Sequence, residues 1–112
     1  MNDETINDPL QKPLVVAFDK PEYDIASCDE FFEVLEPTFN HPSVVVDMSR
    51  IQYLDSSCLS KLMTMHKRRG EAGFPPARIV ITSRTVKRLF ELTGFDRVWP
   101  IFESLETALA AD

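Results

Sequence analysis

The sequence predicts an α/β sandwich: a mainly parallel or mixed sheet of four to five strands carrying about four helices. Three observations predict it. Short β-branched runs alternate with longer stretches of helical periodicity, in the order β-α-β-α-β-α-β-α. Val44-Val45-Val46 is apolar without alternation, as a strand covered on both faces requires. Capping chemistry falls between these segments: Asp24, Asp55-Ser56-Ser57 and Ser83 at helix starts, Gly94 at a helix end. Right-handed crossovers follow from the alternation.

Met1 to Pro13 is polar and acidic, with two prolines, and reads as a loose tail with the option of a weak edge strand near Thr5 to Asn7. Residues 14–112 read as one domain. Leu14 to Phe18 is the first strand, broken by Asp19-Lys20-Pro21-Glu22. Asp24 then caps a helix from Ile25 to Phe39, with Ile25, Phe31 or Phe32, Leu35 and Phe39 as its apolar stripe. Pro37 and Pro42 make its last turn frayed or 3₁₀. The central strand covers Ser43 to Met48. A helix from Ser56 to Glu71 follows, with Leu59, Leu62, Met63 and His66 on one face. Lys67-Arg68-Arg69 complements the negative end of its dipole as a solvated helix end, and Gly70 or Gly73 stops it. Phe74-Pro75-Pro76 is a stiff connector. Arg78 to Thr82 is a strand, and Ser83 caps a helix over Arg84 to Thr93 with Val86, Leu89, Phe90 and Leu92 inward. Val98 to Ile101 is a short last strand. Glu103 to Ala111 is the final helix, with Leu105, Ala108 and Leu109 on its face.

Composition narrows the function. The chain has 112 residues, 44% hydrophobic and 27% charged, the profile of an ordinary globular domain able to bury its own core. Its net charge of −6 disfavours nucleic acid and anionic membrane as partners, because both need a positive field. No basic-then-apolar leader and no apolar run long enough to span a bilayer is present, so the expected setting is the cytoplasm, with Cys28 and Cys58 reduced.

Catalytic chemistry finds little support. Nucleophilic catalysis needs a base beside Ser or Cys. The two histidines are His41, in a loop before the central strand, and His66, about three helical turns beyond Ser56. Both read as packed or solvated side chains, and the chain is not expected to be an enzyme. There is no metal-ligand spacing. Three unclustered glycines cannot form a phosphate-binding loop, so no cofactor is expected. What remains is one sheet edge. Segments leave the carboxyl ends of strands at Asp24 and Asp55, so that edge should carry Asp24, Asp55, Ser56, Ser57, Thr82 and Ser83. It is acidic and rich in hydroxyls, without a base or a cation. Capping explains each residue singly but not the doubled Ser56-Ser57. Such an edge suits recognition and covalent modification.

Two stretches carry a family resemblance. Val45-Val46-Asp47-Met48-Ser49 … Tyr53-Leu54-Asp55-Ser56-Ser57-Cys58-Leu59 resembles the central motif of STAS domains, the anti-sigma factor antagonist family, with Cys58 where the motif has Gly. Ile79-Val80-Ile81-Thr82-Ser83 … Val86-Lys87-Arg88-Leu89-Phe90-Glu91-Leu92-Thr93-Gly94-Phe95 is similar to the family's second conserved stretch, at the expected distance. Asp24 matches the Asp that closes the family's first turn. The resemblance implies a bacterial regulator that binds an anti-sigma factor, often also a serine kinase of the histidine-kinase-like ATPase fold. The kinase then phosphorylates the serine after the motif Asp, here Ser56, and a phosphatase reverses it. Asp24, Asp55 and Ser57 would lie in the docking surface, with Cys58, Thr82 and Ser83 on the same edge.

Three other functions compete. A STAS subunit of a stressosome-like or lipid-transport ATPase assembly would use the same edge without phosphate turnover. Redox control would act through Cys58 or a Cys28–Cys58 pair. A small-ligand sensor would need a pocket under the helices. Oligomeric state is left open.

Overall fold

The computed structural model describes residues 12–111. The tail segment Thr5 to Asn7 lies outside them. The strands are β1 (Leu14–Ala17), β2 (Glu22–Tyr23), β3 (Val44–Asp47), β4 (Tyr53–Leu54), β5 (Arg78–Val80) and β6 (Ile101–Phe102). The helices are α1 (Cys28–Leu35), α2 (Ser56–Glu71), α3 (Arg84–Thr93) and α4 (Leu105–Ala110). Single 3₁₀ turns cover Ile25–Ser27, Glu36–Asn40 and Phe95–Arg97. The main sheet has four strands in the order β1-β3-β5-β6, every described pair parallel. The α/β class, the parallel sheet and the four helices agree with the sequence. The small parallel pair β2–β4 was not foreseen. Two-residue strands are too short to leave a periodic signal.

The valine run sits where its composition requires. Val44 and Val46 join Ile79 and Ile81 in a core cluster with Phe31, Leu62 and Phe90. Val45 and Val80 point to the opposite face, against Ala108 of α4. Alternate residues of one strand therefore enter two cores, and a continuous apolar run results.

Several expected faces shift. Ile25 is 70% exposed, because Asp24 caps a 3₁₀ turn and the α-helical phase begins only at Cys28. Pro37 does fall in a terminal 3₁₀ turn, so α1 stops at Leu35. In α2 the buried line is Cys58, Leu59, Leu62, Met65 and Arg69, and Met63 faces outward. Leu92 is 70% exposed, six residues on from Val86 and so well round α3 from the buried face. Leu109 is also exposed, leaving Ala108 as the buried residue of α4. The last strand is Ile101–Phe102 instead of Val98 to Ile101. The chain continues past Gly94, at φ +79°, into a 3₁₀ turn, and Trp99 goes into the core. Pro100 contributes only its carbonyl, which accepts from the Ile79 N–H. Of the two glycines expected to stop α2, Gly70 lies within it, and Gly73, at φ +84° just past the cap Ala72, ends it, its N–H donating to the Gly70 carbonyl at 3.0 Å.

The basic run at the end of α2 also differs from its expected solvated form. His66 packs edge-on to Trp99, with ring centroids 5.4 Å apart. Arg69 is buried, 1% exposed. Its guanidinium donates to the carbonyls of Thr38 (2.7 Å), His41, Pro75 (2.9 Å) and, at 3.4 Å, Pro42. It lies 5.5 Å from the Phe74 ring. Burial lowers its pKa, and no carboxylate pairs with it among the described residues. The carbonyls replace water and bind α2 to two proline-containing connectors.

Removing that cation leaves the carbonyls without a donor. Arg69→Met should cost about 3 kcal/mol of unfolding free energy in urea titrations, with Arg69→Lys in between. A loss well under about 1 kcal/mol would mean the cage is not holding the connectors.

Cys58 lies wholly inside the core, its Sγ 3.8 Å from the Tyr23 carbonyl oxygen. Burial first, then the neighbouring Cys28, pushes its pKa up to about 11. The thiol stays protonated at neutral pH and is a poor nucleophile. Both cysteines are free. Iodoacetamide at neutral pH should therefore alkylate the half-buried Cys28 in the native protein and reach Cys58 only after denaturation. Equal native labelling of the two, read by peptide mass, would revive redox control.

Candidate recognition site at the start of α2

Parallel pairing of β2 with β4 places Tyr23 opposite Leu54, so both chains leave their strands side by side. The Asp55 N–H donates to the Tyr23 carbonyl (2.9 Å), and the Gln52 and Tyr53 N–H groups donate to the Pro21 carbonyl (2.6 and 3.1 Å). Pro21 suits this place, because it has a carbonyl to offer and no N–H to satisfy. Asp24 and Asp55 then emerge together, as the topology argument expected.

Both aspartates are N-caps. Asp24 forms a capping box with Ser27: its Oδ1 accepts from the Ser27 N–H (3.1 Å), and Ser27 Oγ accepts from the Asp24 N–H (2.9 Å). The Asp55 Oδ2 accepts from the Ser57 N–H at 2.8 Å. The Tyr53 hydroxyl lies 3.4 Å from Oδ1. Ser57, through its hydroxyl and then its amide, holds Asp55 below the usual carboxylate range; burial opposes this, and Tyr53 adds a smaller lowering. The Asp55 charge in turn raises the Tyr53 phenol. Ser57 Oγ is buried and has no hydrogen-bond partner among the described residues, so the Ser57 amide is the hydrogen bond that the geometry shows on Asp55.

Ser56 is different from its neighbours. It is the first residue of a 16-residue helix, it is exposed, and its hydroxyl makes no hydrogen bond among the described residues. Ser56 is therefore the hydroxyl of the pair that a partner can reach, and the positive helix end favours an anion there.

Thr82 and Ser83 support this corner from behind. Thr82 Oγ1 donates to the Ser49 carbonyl (2.8 Å), and Ser83 Oγ donates to the Gln52 carbonyl (3.3 Å) while capping the Val86 N–H. These bonds hold the connector into β4, which sets the position of Asp55. Thr82 remains exposed, but Ser83 is 7% exposed with its hydroxyl engaged. Cys58 is more deeply buried still, so its expected place on the docking surface is corrected: it packs beneath that surface.

A groove of about 400 Å³ runs from Ser56 to α3. Asp55 and Ser56 form one wall, Arg88, Leu89 and Leu92 the other, with Tyr53 between. Sequence reasoning missed Tyr53, Arg88 and Leu92. The available signal was Leu92, out of phase with the Val86, Leu89 and Phe90 face of its helix. Neither histidine reaches this groove: His66 packs on Trp99, and His41 Nδ1 accepts from the Ser43 N–H (3.1 Å). No cluster of three potential metal ligands occurs among the described residues. No helix among them is long and apolar enough to cross a membrane.

Comparisons with known proteins bear on the fold and the family. The structure superposes on an anti-sigma factor antagonist from Mycobacterium paratuberculosis with a TM-score of 0.75, at 23% identity, covering 86% of this chain and 81% of that one. A protein of Thermotoga maritima, provisionally assigned as an anti-sigma factor antagonist, gives a TM-score of 0.72 at 19% identity, covering 86% and 85%. At these identities the likeness is one of fold. No curated protein sequence matches the chain significantly. The family model of the STAS domain matches residues 4–108. The chain thus belongs to the STAS domain family.

Proposed function

We propose that this protein is an anti-sigma factor antagonist, cytoplasmic, that binds an anti-sigma factor and is switched off by phosphorylation of Ser56. It works by binding, not by turnover. One observation carries the reading: an exposed, unbonded serine hydroxyl opens α2 beside two capping aspartates and at the end of a groove. The names of the structural neighbours support the choice of partner.

The partner is taken to be a serine kinase as well, and a phosphatase restores the hydroxyl. The kinase transfers the terminal phosphoryl group of a nucleoside triphosphate. The Oγ–P bond forms, the bond to the departing diphosphate breaks, and the hydroxyl proton passes to a base of the kinase. The product adds about −1.5 to −2 charges at neutral pH. On the free protein that charge stays in water near a helix N-terminus, so the fold tolerates it. Against a partner surface shaped for a neutral hydroxyl between Asp24 and Asp55, it brings bulk and like-charge repulsion. A buried, unmatched charge costs several kcal/mol.

The first test is intact mass and peptide mapping of the protein from its native cell, growing and stressed. One added phosphate at Ser56, varying with condition, is the expected result. With the purified anti-sigma factor, Ser56→Ala should bind like the wild type and Ser56→Asp about a hundredfold more weakly. No phosphate in any condition, together with retained binding by Ser56→Asp, would replace the switch by a constitutive scaffold in a larger assembly.

A further inference from the structure

The groove beside Ser56 carries a cation that the capping geometry does not use. Arg88 stands on its α3 wall, exposed, and forms no ion pair within 4 Å among the described residues. Its neighbours in the groove are the Asp55 carboxylate, the Tyr53 phenol and the Thr85 hydroxyl. Glu91, one turn further along α3, lies beside Arg88 on the outer surface, with Arg84 and Lys87. Lys87 is already paired with Glu103 at 3.2 Å. Arg84 lies outside the groove. Among the described residues, Arg88 is thus the one cation lining the groove that also holds Ser56.

We propose that Arg88 is the internal counter-ion of phosphorylated Ser56 and clasps the phosphate across the groove. This rests on Ser56 being the modified residue. A guanidinium suits the task, because its planar fork matches two phosphate oxygens at once and stays charged at any physiological pH. The contact holds the phosphate at the water-exposed mouth of the groove, between the start of α2 and the α3 wall. Phosphorylation then does more than add charge: it closes the groove with the protein's own side chain. Arg88 is a positioning residue for the off state and has no such task in the unmodified protein.

The test uses the full chain with phosphoserine installed at position 56 during translation, so no kinase is needed. The ³¹P signal is followed through the second phosphate ionisation, near pH 6 for an unperturbed phosphoserine. A cation in contact favours the dianion and lowers the midpoint, whereas Asp55 and Asp24 raise it equally in every variant. Arg88→Gln should therefore titrate about half a pH unit higher than the wild type, Arg88→Lys in between, and Arg84→Gln like the wild type. Equal midpoints for Arg88→Gln and the wild type would overturn the clasp. An equal rise for Arg84→Gln would overturn it too, showing only a diffuse field. Because the phosphate is installed, these results stand whether or not the cell phosphorylates Ser56. Failure of the clasp is thereby separated from failure of the switch.

Discussion

Burial of β3 on both of its faces is the constraint from which the rest of this structure follows. Val44 and Val46 need one apolar layer and Val45 needs another. A strand in that position must have neighbours on both edges, which β1 and β5 provide in parallel register. Parallel neighbours need crossover connections, and each crossover supplies a helix to cover a face. The layers are unequal. Three helices and most of the large side chains lie on the Val44 and Val46 side, with the short α4 alone on the other. Arg78 compensates on the thin side: its Nη1 donates to the Ala108 carbonyl at 2.8 Å and its Nη2 to Ser43 Oγ at 2.8 Å. A six-residue helix is marginal alone, and this bond ties its last turn to the sheet.

The candidate site is a product of that scaffold rather than an addition to it. After β3 the chain cannot go straight into α2, because the connector first pairs as β4 with β2. That detour brings Asp55 beside Asp24. It is held by backbone bonds to Pro21 and Tyr23 and by two hydroxyls, Thr82 and Ser83, reaching across from the end of β5. Three crossovers therefore converge on one place. The Ser56 hydroxyl and the groups that position it are distinct: Ser56 makes no hydrogen bond among the described residues, whereas Asp55, Thr82 and Ser83 are all engaged. Cys58 belongs to the second group. Its small buried side chain sits under the helix start, against the Tyr23 carbonyl, where the family motif has Gly.

How much of this was legible in the sequence depended on the length of the signal. The bounds of α2 and α3 could be read directly, because each begins at a side-chain cap and repeats an apolar face over ten residues or more. The gathering of Asp24 and Asp55 was also legible, since it follows from parallel topology. The β2–β4 pair that actually brings them together was not, having only two residues in each strand. Ile25 and Leu92 were misplaced for the same physical reason. Apolar identity was taken as burial, but the local phase, a 3₁₀ turn for Ile25 and the far side of α3 for Leu92, turns each to water. Arg69 was misread in the opposite sense. A cation at a helix end is usually solvated. Here prolines in both connectors present carbonyls at close range, a three-dimensional arrangement that no spacing rule encodes.

These features bear on how a signal can act here. The helix start is fastened on every side by short bonds, and its interior is packed with Phe18, Tyr23 and Phe31 in mutual ring contact. A phosphate added to Ser56 therefore has no bistable element to move. Refolding α2 would break the Asp55 cap, the Cys58 packing and the Tyr23–Leu54 pairing together, and one surface charge does not outweigh all three. Redirecting an exposed arginine side chain, by contrast, costs little more than rotamer freedom. For the proposed modification of Ser56, the physics favours an effect confined to surface charge and groove access, with the backbone as its fixed frame.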